Sequence, residues 1–389
     1  MKTRRILALL LAACMAIALI GCGQSNTPAE SNPPAQPNTP AESNTPAEPA
    51  APAEPAGSGM TVEEFLARGI EKNVIQSVAT GTGSGKQFVF MSAIGSVVSE
   101  QVKNLQWNME TSNGSIDNLN QLQAGNFDFG FAQQDGAYEA YTGTGDFATA
   151  YEGLRAVFPC YTQDFFIATT SEKVGNNTIT DFSVLDGLSA GMGSVTGSLW
   201  VSVMKLQTIF DLSKIDFREL TTADTFNQMA EGKMDLSMGI QGQPNSNISE
   251  YVANSANPPL YHPEFSDEII DKVIENFPFY SRVVIPGDTY SSLNGNDYHT
   301  YGCWAFVYCD KDMDNLVTYN VCKTLFENTD DLAITVDSFK NLTAEQITNS
   351  VVPLQTGAIW YYEEQGIELP AELYPAEYIS LEDYVASLS

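Results

Sequence analysis

The chain has 389 residues, of which 48 are acidic and 18 basic, for a net charge of -30 at neutral pH. Such a surface repels phosphate backbones and anionic headgroups, which excludes nucleic-acid binding and electrostatic docking on a bilayer. Two histidines, His262 and His299, are too few for a His-rich metal site and lack any triad motif around them.

Residues Met1–Arg5 carry Lys2, Arg4 and Arg5, and an apolar run from Ile6 to Ile20 follows. A positive start and a short apolar stretch predict a secretory signal, too short for a comfortable membrane span. The run ends in Leu19-Ile20-Gly21-Cys22, a bacterial lipobox, so Cys22 is expected to carry lipid and become the new N-terminus. Removal of residues 1–21, with three positive charges and no acidic ones, leaves a net charge of -33. From Gln24 to Gly59 the chain is Pro/Ala/Glu/Ser/Asn-rich, with Thr-Pro-Ala-Glu recurring at Thr27, Thr39 and Thr45 and no aliphatic residue larger than alanine. It has nothing to bury in a core. It reads as a polyproline-like tether over residues 22–60, reaching on the order of 100 Å at ~3.1 Å per residue. Everything beyond it is expected to be extracytoplasmic.

The body then alternates strands and helices. Val74–Ala79 predicts a strand, TGTGSGK a Gly/Ser loop, and Met91, Ile94, Val98 and Val102 a helix. Leu105–Glu110 predicts a second strand. Ser115 is placed to cap a helix bearing Ile116, Leu119 and Leu122 that Gly125 ends. Phe127, Phe129 and Phe131 alternate in a third strand. The series returns: a strand at Leu188–Ala190, the loop GMGSVTG, a helix from Ser198 to Phe210, a strand at Phe217–Leu220, a helix at Thr222–Glu231 and a strand in KMDLSMGI. Gly125 and Asp128 align with Gly232 and Asp235 at an offset of 107, and the glycine loops align at 110. Two landmarks at nearly one offset predict two similar α/β lobes, whose strand ends and glycine loops face a shared crevice.

The loop before Lys86 approaches a P-loop but has Thr80 in place of its first glycine and Gln87 in place of Ser/Thr. Nucleotide binding is therefore not expected. The same loop at a helix start can bind a carboxylate, with Lys86 adding a full charge, or be a plain turn. Ser194, Thr196 and Gly197 form the matching loop in lobe two; simple helix capping is the alternative. Gln133, Gln134 and Asp135 fall at the end of the third strand, with Tyr138 on the next helix; Asp135 serves equally well as that helix's cap. Gln241 and Gln243, in IQGQPN, occupy the corresponding place in lobe two. No Gly-x-Ser-x-Gly elbow, catalytic constellation or Cys-x-x-Cys is present, so no enzyme, metal site or cofactor is expected. After Cys14 and Cys22, four cysteines remain: Cys160, Cys303, Cys309 and Cys322. They could pair in three ways or stay as buried thiols. Cys303 and Cys309 stand about 20 Å apart along one strand and cannot bridge each other.

With these parts in order, the chain resembles the solute receptors of the TAXI family of TRAP transporters. The resemblance rests on VATGTGSGKQFVFMSAIG, SNGSIDNLNQLQAGNFDFGFAQQDGAYEAYTG, LRAVFPCYTQDFFIA, GMGSVTGS, FPFYSRVVIPGDTY, LFENTDD and VVPLQTGAIWYYEEQGI. It covers nearly all of Val74 to Leu369. The last phrase is similar to the family's V-P-L-H-P-G-A-x-x-Y-Y-x-x-x-G, with Gln355 and Thr356 in place of His and Pro. The resemblance implies a receptor that delivers a small organic anion, such as glutamate, glutamine or a dicarboxylate, to the membrane subunits of an ion-gradient-driven permease. It implies ligand contacts from Gly83, Ser84, Gln133, Asp135, Ser194 and Thr196. The family often has Gly-Gly-x-Tyr-Tyr after the first loop. Here Lys86, Gln87 and Phe88 stand there and become candidate contacts. Trp200 shapes the pocket or packs in the core.

The expected fold is α/β, a two-lobed periplasmic-binding-protein-like architecture with an interlobe cleft and a hinge of crossing strands. Lobe one is placed at residues 72–163 plus 300–389 and lobe two at 164–299. A monomer, held to the membrane through Cys22, is expected. Service to an ATP-driven importer or a sensor kinase is the alternative, and an exported hydrolase a more distant one.

Overall fold

The computed structural model describes residues 59–81, 83 and 85–388. The signal segment, Cys22, the tether up to Ser58, and Ser84 lie outside the described residues.

Among the described residues nine strands form one sheet: β1 (Val74–Ala79), β2 (Leu105–Glu110), β3 (Phe129–Gln133), β4 (Leu154–Thr169), β5 (Ser189–Gly191), β6 (Asp216–Arg218), β7 (Leu236–Gln241), β8 (Ser281–Ile285) and β9 (Tyr298–Asp310). Their order is β2-β1-β3-β9-β4-β7-β5-β6, with β8 on the free stretch of β9. Each end of this sheet is the same parallel motif. In one, β1 lies between β2 and β3; in the other, β5 lies between β6 and β7. Helices cover both ends, including Lys86–Gln101 and Ser115–Gln123 at one and Ser198–Gln207 and Thr222–Ala230 at the other.

The repeat seen in the sequence has a physical basis. Asp128 accepts hydrogen bonds from the Ser77 amide and hydroxyl at 2.8 and 3.1 Å. Asp235 does the same for Ser189 at 2.8 and 2.7 Å. In both halves the carboxylate ties the start of the third strand to the first. Gly125 (φ 71°) and Gly232 (φ 70°) end the preceding helices in the left-handed conformation, which glycine enters without a Cβ clash.

Antiparallel β4 and β9 join the two motifs. The main core of the first lobe takes residues of β4 up to Tyr161 and of β9 from Ala305 on. The cores of the second lobe take β4 from Phe165 and β9 up to Cys303. Both strands therefore pass from one apolar core into the other. Pro159 lies between two irregularities of the β4–β9 register, at Ala156/Phe158 and Pro159/Tyr161. A proline has no ladder N–H to give, and such irregularities are where a central strand tolerates one.

Ser115 is the first residue of its helix rather than its cap, and its hydroxyl accepts from the Gln133 amide at 3.0 Å. The four cysteines of the body are free and buried. Gln355 caps the helix Thr356–Glu364, accepting from the Gly357 and Ala358 amides, and its own amide donates to Met313 O and Asn315 Oδ1. The C-terminal phrase thus locks one helix against another. A Cβ on Gly357 would fall 1.9 Å from the Asn315 carbonyl oxygen. Gly357→Ala should accordingly cost about 1–3 kcal/mol through overpacking. Urea unfolding should show a lower midpoint with an unchanged slope; an unchanged midpoint would contradict this packing.

Candidate ligand-binding site

The passage of β4 between the cores is the sequence Tyr161-Thr162-Gln163-Asp164. It carries polar side chains where apolar ones would complete the core. Asp164 is registered between Gln241, the last residue of β7, and Gly302 of β9. Gln133, the last residue of β3, donates from its amide to Gln163 Oε1 at 2.8 Å. The ends of two corresponding strands, one from each lobe, so converge on the middle of β4.

Lys86, at the start of its helix, reaches this point from lobe one. Its ammonium lies 4.5 Å from the centre of the Tyr161 ring and donates to the Gln243 carbonyl oxygen in lobe two. A Cβ on Gly242 would touch both Lys86 and Tyr161, at 3.0 and 3.1 Å. The Tyr290 hydroxyl donates to Gln243 Oε1, and Asn245 Nδ2 to Gln241 Oε1. Among the described residues, eleven buried side-chain polar atoms have no hydrogen-bond partner. Five of them lie here: Tyr161 Oη, Gln163 Nε2, Asp164 Oδ1, Gln241 Nε2 and Gln243 Nε2. An unsatisfied buried polar atom costs about 1–3 kcal/mol, so such a concentration marks a place kept polar for a partner.

The electrostatics follow from burial. Asp164 is 5% exposed, and burial pushes its carboxyl up to about 7, against the Thr162 hydroxyl and Lys86. Burial likewise brings Lys86 down to about 8, against Asp164 and Asp337. Neither charge is fully compensated within the protein.

The structure distributes the sequence candidates unevenly. Lys86, Gln133 and Gln241 are brought together around β4. Gln87 lies against Gly81, and half-buried Phe88 sits in the first turn beside it. Gly83 is exposed, its Cα hydrogen side toward Thr111. Ser194 is exposed, and its hydroxyl lies 3.2 Å from that of half-buried Thr196. Gly114 of lobe one approaches this second loop: a Cβ on it would lie 3.7 Å from the Thr196 carbonyl oxygen and 3.9 Å from Gly197 Cα. Trp200 is half-buried and packs on the lobe-two core.

Gln134, Asp135 and Tyr138 serve a different contact. Gln134 Nε2 donates to Phe279 O at 2.8 Å, and the Tyr138 ring packs 5.6 Å from that of Phe279. Asp135 accepts from the Tyr280 hydroxyl at 3.1 Å and lies 3.6 Å from Lys205 Nζ. Lys205 also donates to Glu139 at 3.2 Å. Burial alone would lower the Lys205 ammonium; Asp135 and Glu139 outweigh it and hold it above its usual range. Gln134 Nε2 and Asp135 thus bond across the lobes and Tyr138 packs across them, while Gln134 Oε1 stays unpaired. Asp135 is not the helix cap that was its alternative: it lies inside the helix Gln134–Thr142. His262 is buried, bonded to Ile167 O and Ser292 Oγ, and belongs to the packing of lobe two.

Residues 78–366 match the profile of the NMT1-like family, a solute-binding protein family. The chain belongs to the NMT1-like family. Solved structures of similar shape include the alkanesulfonate-binding protein SsuA from Xanthomonas axonopodis pv. citri, bound to MOPS. It is 11% identical, with 78% of this chain and 97% of that one covered at a TM-score of 0.37. The GLUR0 ligand-binding core in complex with L-glutamate is 9% identical, with 68% and 98% covered at 0.41. YhfZ from Shigella flexneri is 11% identical, with 72% and 96% covered at 0.40. These are remote similarities of shape.

In this NMT1-like chain the candidate site includes three groups that sequence reasoning did not single out: Tyr161, Gln163 and Asp164. Their one sequence signal was a polar quartet inside the otherwise apolar LRAVFPCYTQDFFIA.

Asp164 generates a prediction about stability. Its folded-state pKa, about 7, lies above its ordinary 3.8. Folding is therefore favoured most at low pH, and this contribution is lost as pH rises from about 4 through about 7. Asp164→Asn should leave the stability of the ligand-free protein little changed at pH 4. At pH 8 it should raise stability by about 1–3 kcal/mol. Thermal unfolding at the two pH values checks this; destabilisation at pH 8 would show that the carboxylate is satisfied in the fold.

Proposed function

We propose that this protein is an extracytoplasmic receptor that captures a small carboxylate-bearing solute between its lobes. The observation that carries this reading is the group of five unpaired buried polar atoms beside Lys86. They sit where both cores end and where strands from both lobes terminate. Four of the unpaired atoms can donate a hydrogen bond, and Lys86 adds a cation, which suits a carboxylate. Membership of a solute-binding family supports the same conclusion.

The finer assignment follows the sequence. The ordered resemblance from Val74 to Leu369 supports a TAXI-type receptor that hands its solute to an ion-gradient-driven TRAP permease. The resemblance also supports ligands of the glutamate, glutamine or dicarboxylate kind. The lipobox at Cys22 supports a lipid-anchored receptor, with the proline-rich stretch as its tether. The first and second glycine loops, with Gly83, Ser194, Thr196 and Gly197, supply amides and hydroxyls to the rim. Gln87, Phe88 and Trp200 shape it. Gln134, Asp135 and Tyr138 support the pocket through the contacts they make with Phe279, Tyr280 and Lys205.

A thermal-shift screen of the purified protein against amino acids and dicarboxylates tests the reading. A solute that binds only the folded state adds about 2.7 kcal/mol at a hundredfold excess over Kd. The expected result is a shift with one such solute, without product, that falls at least tenfold in apparent affinity in Lys86→Ala. A shift that Lys86→Ala leaves intact would place the solute elsewhere.

A further inference from the structure

The unpaired groups between the lobes have a definite balance of chemistry. Gln163, Gln241 and Gln243 each present an unpaired amide nitrogen, and Tyr161 a hydroxyl. Asp164 Oδ1 is the single unpaired atom among them that can only accept while the carboxyl is ionised. An acid that offered acceptors alone would satisfy the donors and leave Asp164 unanswered.

The charges make the same point. Lys86 and Asp164 are opposite and sum to zero. The other charges nearby are engaged elsewhere: Asp337 pairs with Lys340 at 2.8 Å, and Asp135 lies 3.6 Å from Lys205. A dicarboxylate would bring two negative charges into a junction with no net positive charge, against the wider acidic field of the chain. A zwitterion brings none, and its two ends match the two charges present.

On the reading of this junction as the solute site, we propose that Asp164 is a specificity-determining residue that receives a protonated amine, so that the receptor takes α-amino acids in preference to dicarboxylates. Lys86 and the amide donors hold the carboxylate end, and Asp164 holds the ammonium end.

The test is calorimetric titration of the full chain, with the twenty amino acids and with pairs differing only in the amine: glutamate against glutarate, aspartate against succinate, leucine against 4-methylpentanoate. The amino acid of at least one pair should bind more than tenfold tighter than its partner. Asp164→Asn, which is nearly isosteric, should shrink that gap to less than threefold, chiefly by weakening the amino acid. Two results would overturn the proposal: a deaminated acid that binds as tightly as its amino acid, or a preference that Asp164→Asn leaves intact. Binding of acids alone, lost in Lys86→Ala, would defeat the role of Asp164 and keep the receptor. If no solute of either kind binds, and native mass spectrometry finds none carried through purification, both readings fail together.

Discussion

Strands β4 and β9 pair from Leu154 opposite Asp310 to Asp164 opposite Gly302, with two register shifts on the way, and each belongs to two cores at once. That arrangement constrains everything else. The two lobes cannot be separate domains on a flexible linker, because their sheets are one sheet. Past Tyr161, which still packs in the first core, Thr162, Gln163 and Asp164 join neither core. Whatever occupies positions 161 to 164 must be accommodated by groups arriving from both lobes. Lys86, Gln133, Gln241 and Gln243 are those groups, and the site is a consequence of where the two hydrophobic cores stop.

The same constraint explains why polar atoms are left unpaired. A buried carboxylate with an unpaired oxygen and three unpaired amide nitrogens would be a poor solution for a structural core, at about 1–3 kcal/mol each. Several comparable groups elsewhere in the chain are satisfied. Asp128 and Asp235 each accept both an amide and a hydroxyl, and Gln355 makes bonds with both ends of its amide. Asp135, Lys205 and Glu139 meet one another across the lobes. Of the eleven unpaired buried atoms among the described residues, five gather at this junction, and such a concentration is the signature of a site that must bind something else.

Much of this was legible in the sequence because it is local. Strands β1 and β2 were read at their observed bounds, since short apolar runs stand between glycine loops and helical periodicity. The repeat was legible through Gly125/Gly232 and Asp128/Asp235, because each residue answers a need of its own turn: a left-handed φ, and an amide to be capped. The candidate site was legible where it depends on strand ends, as at Gln133 and Gln241, and where a lone lysine follows a glycine loop. What was not legible depends on distant partners. Nothing near Asp135 announces Lys205, 70 residues away, or Tyr280. Nothing in Tyr-Thr-Gln-Asp reveals that the strand carrying it changes cores at that point. Ser115 looked like a helix cap because cap residues are read from local order, whereas its hydroxyl answers Gln133 at the end of β3.

A crystal structure of the protein with its bound solute, whether carried through purification or added, tests the central claim most directly. The account predicts solute density between Lys86 and Asp164, with its polar atoms within hydrogen-bond distance of Gln163, Gln241 or Gln243. Density elsewhere on the molecule, with those side chains bonded only to water, would contradict it.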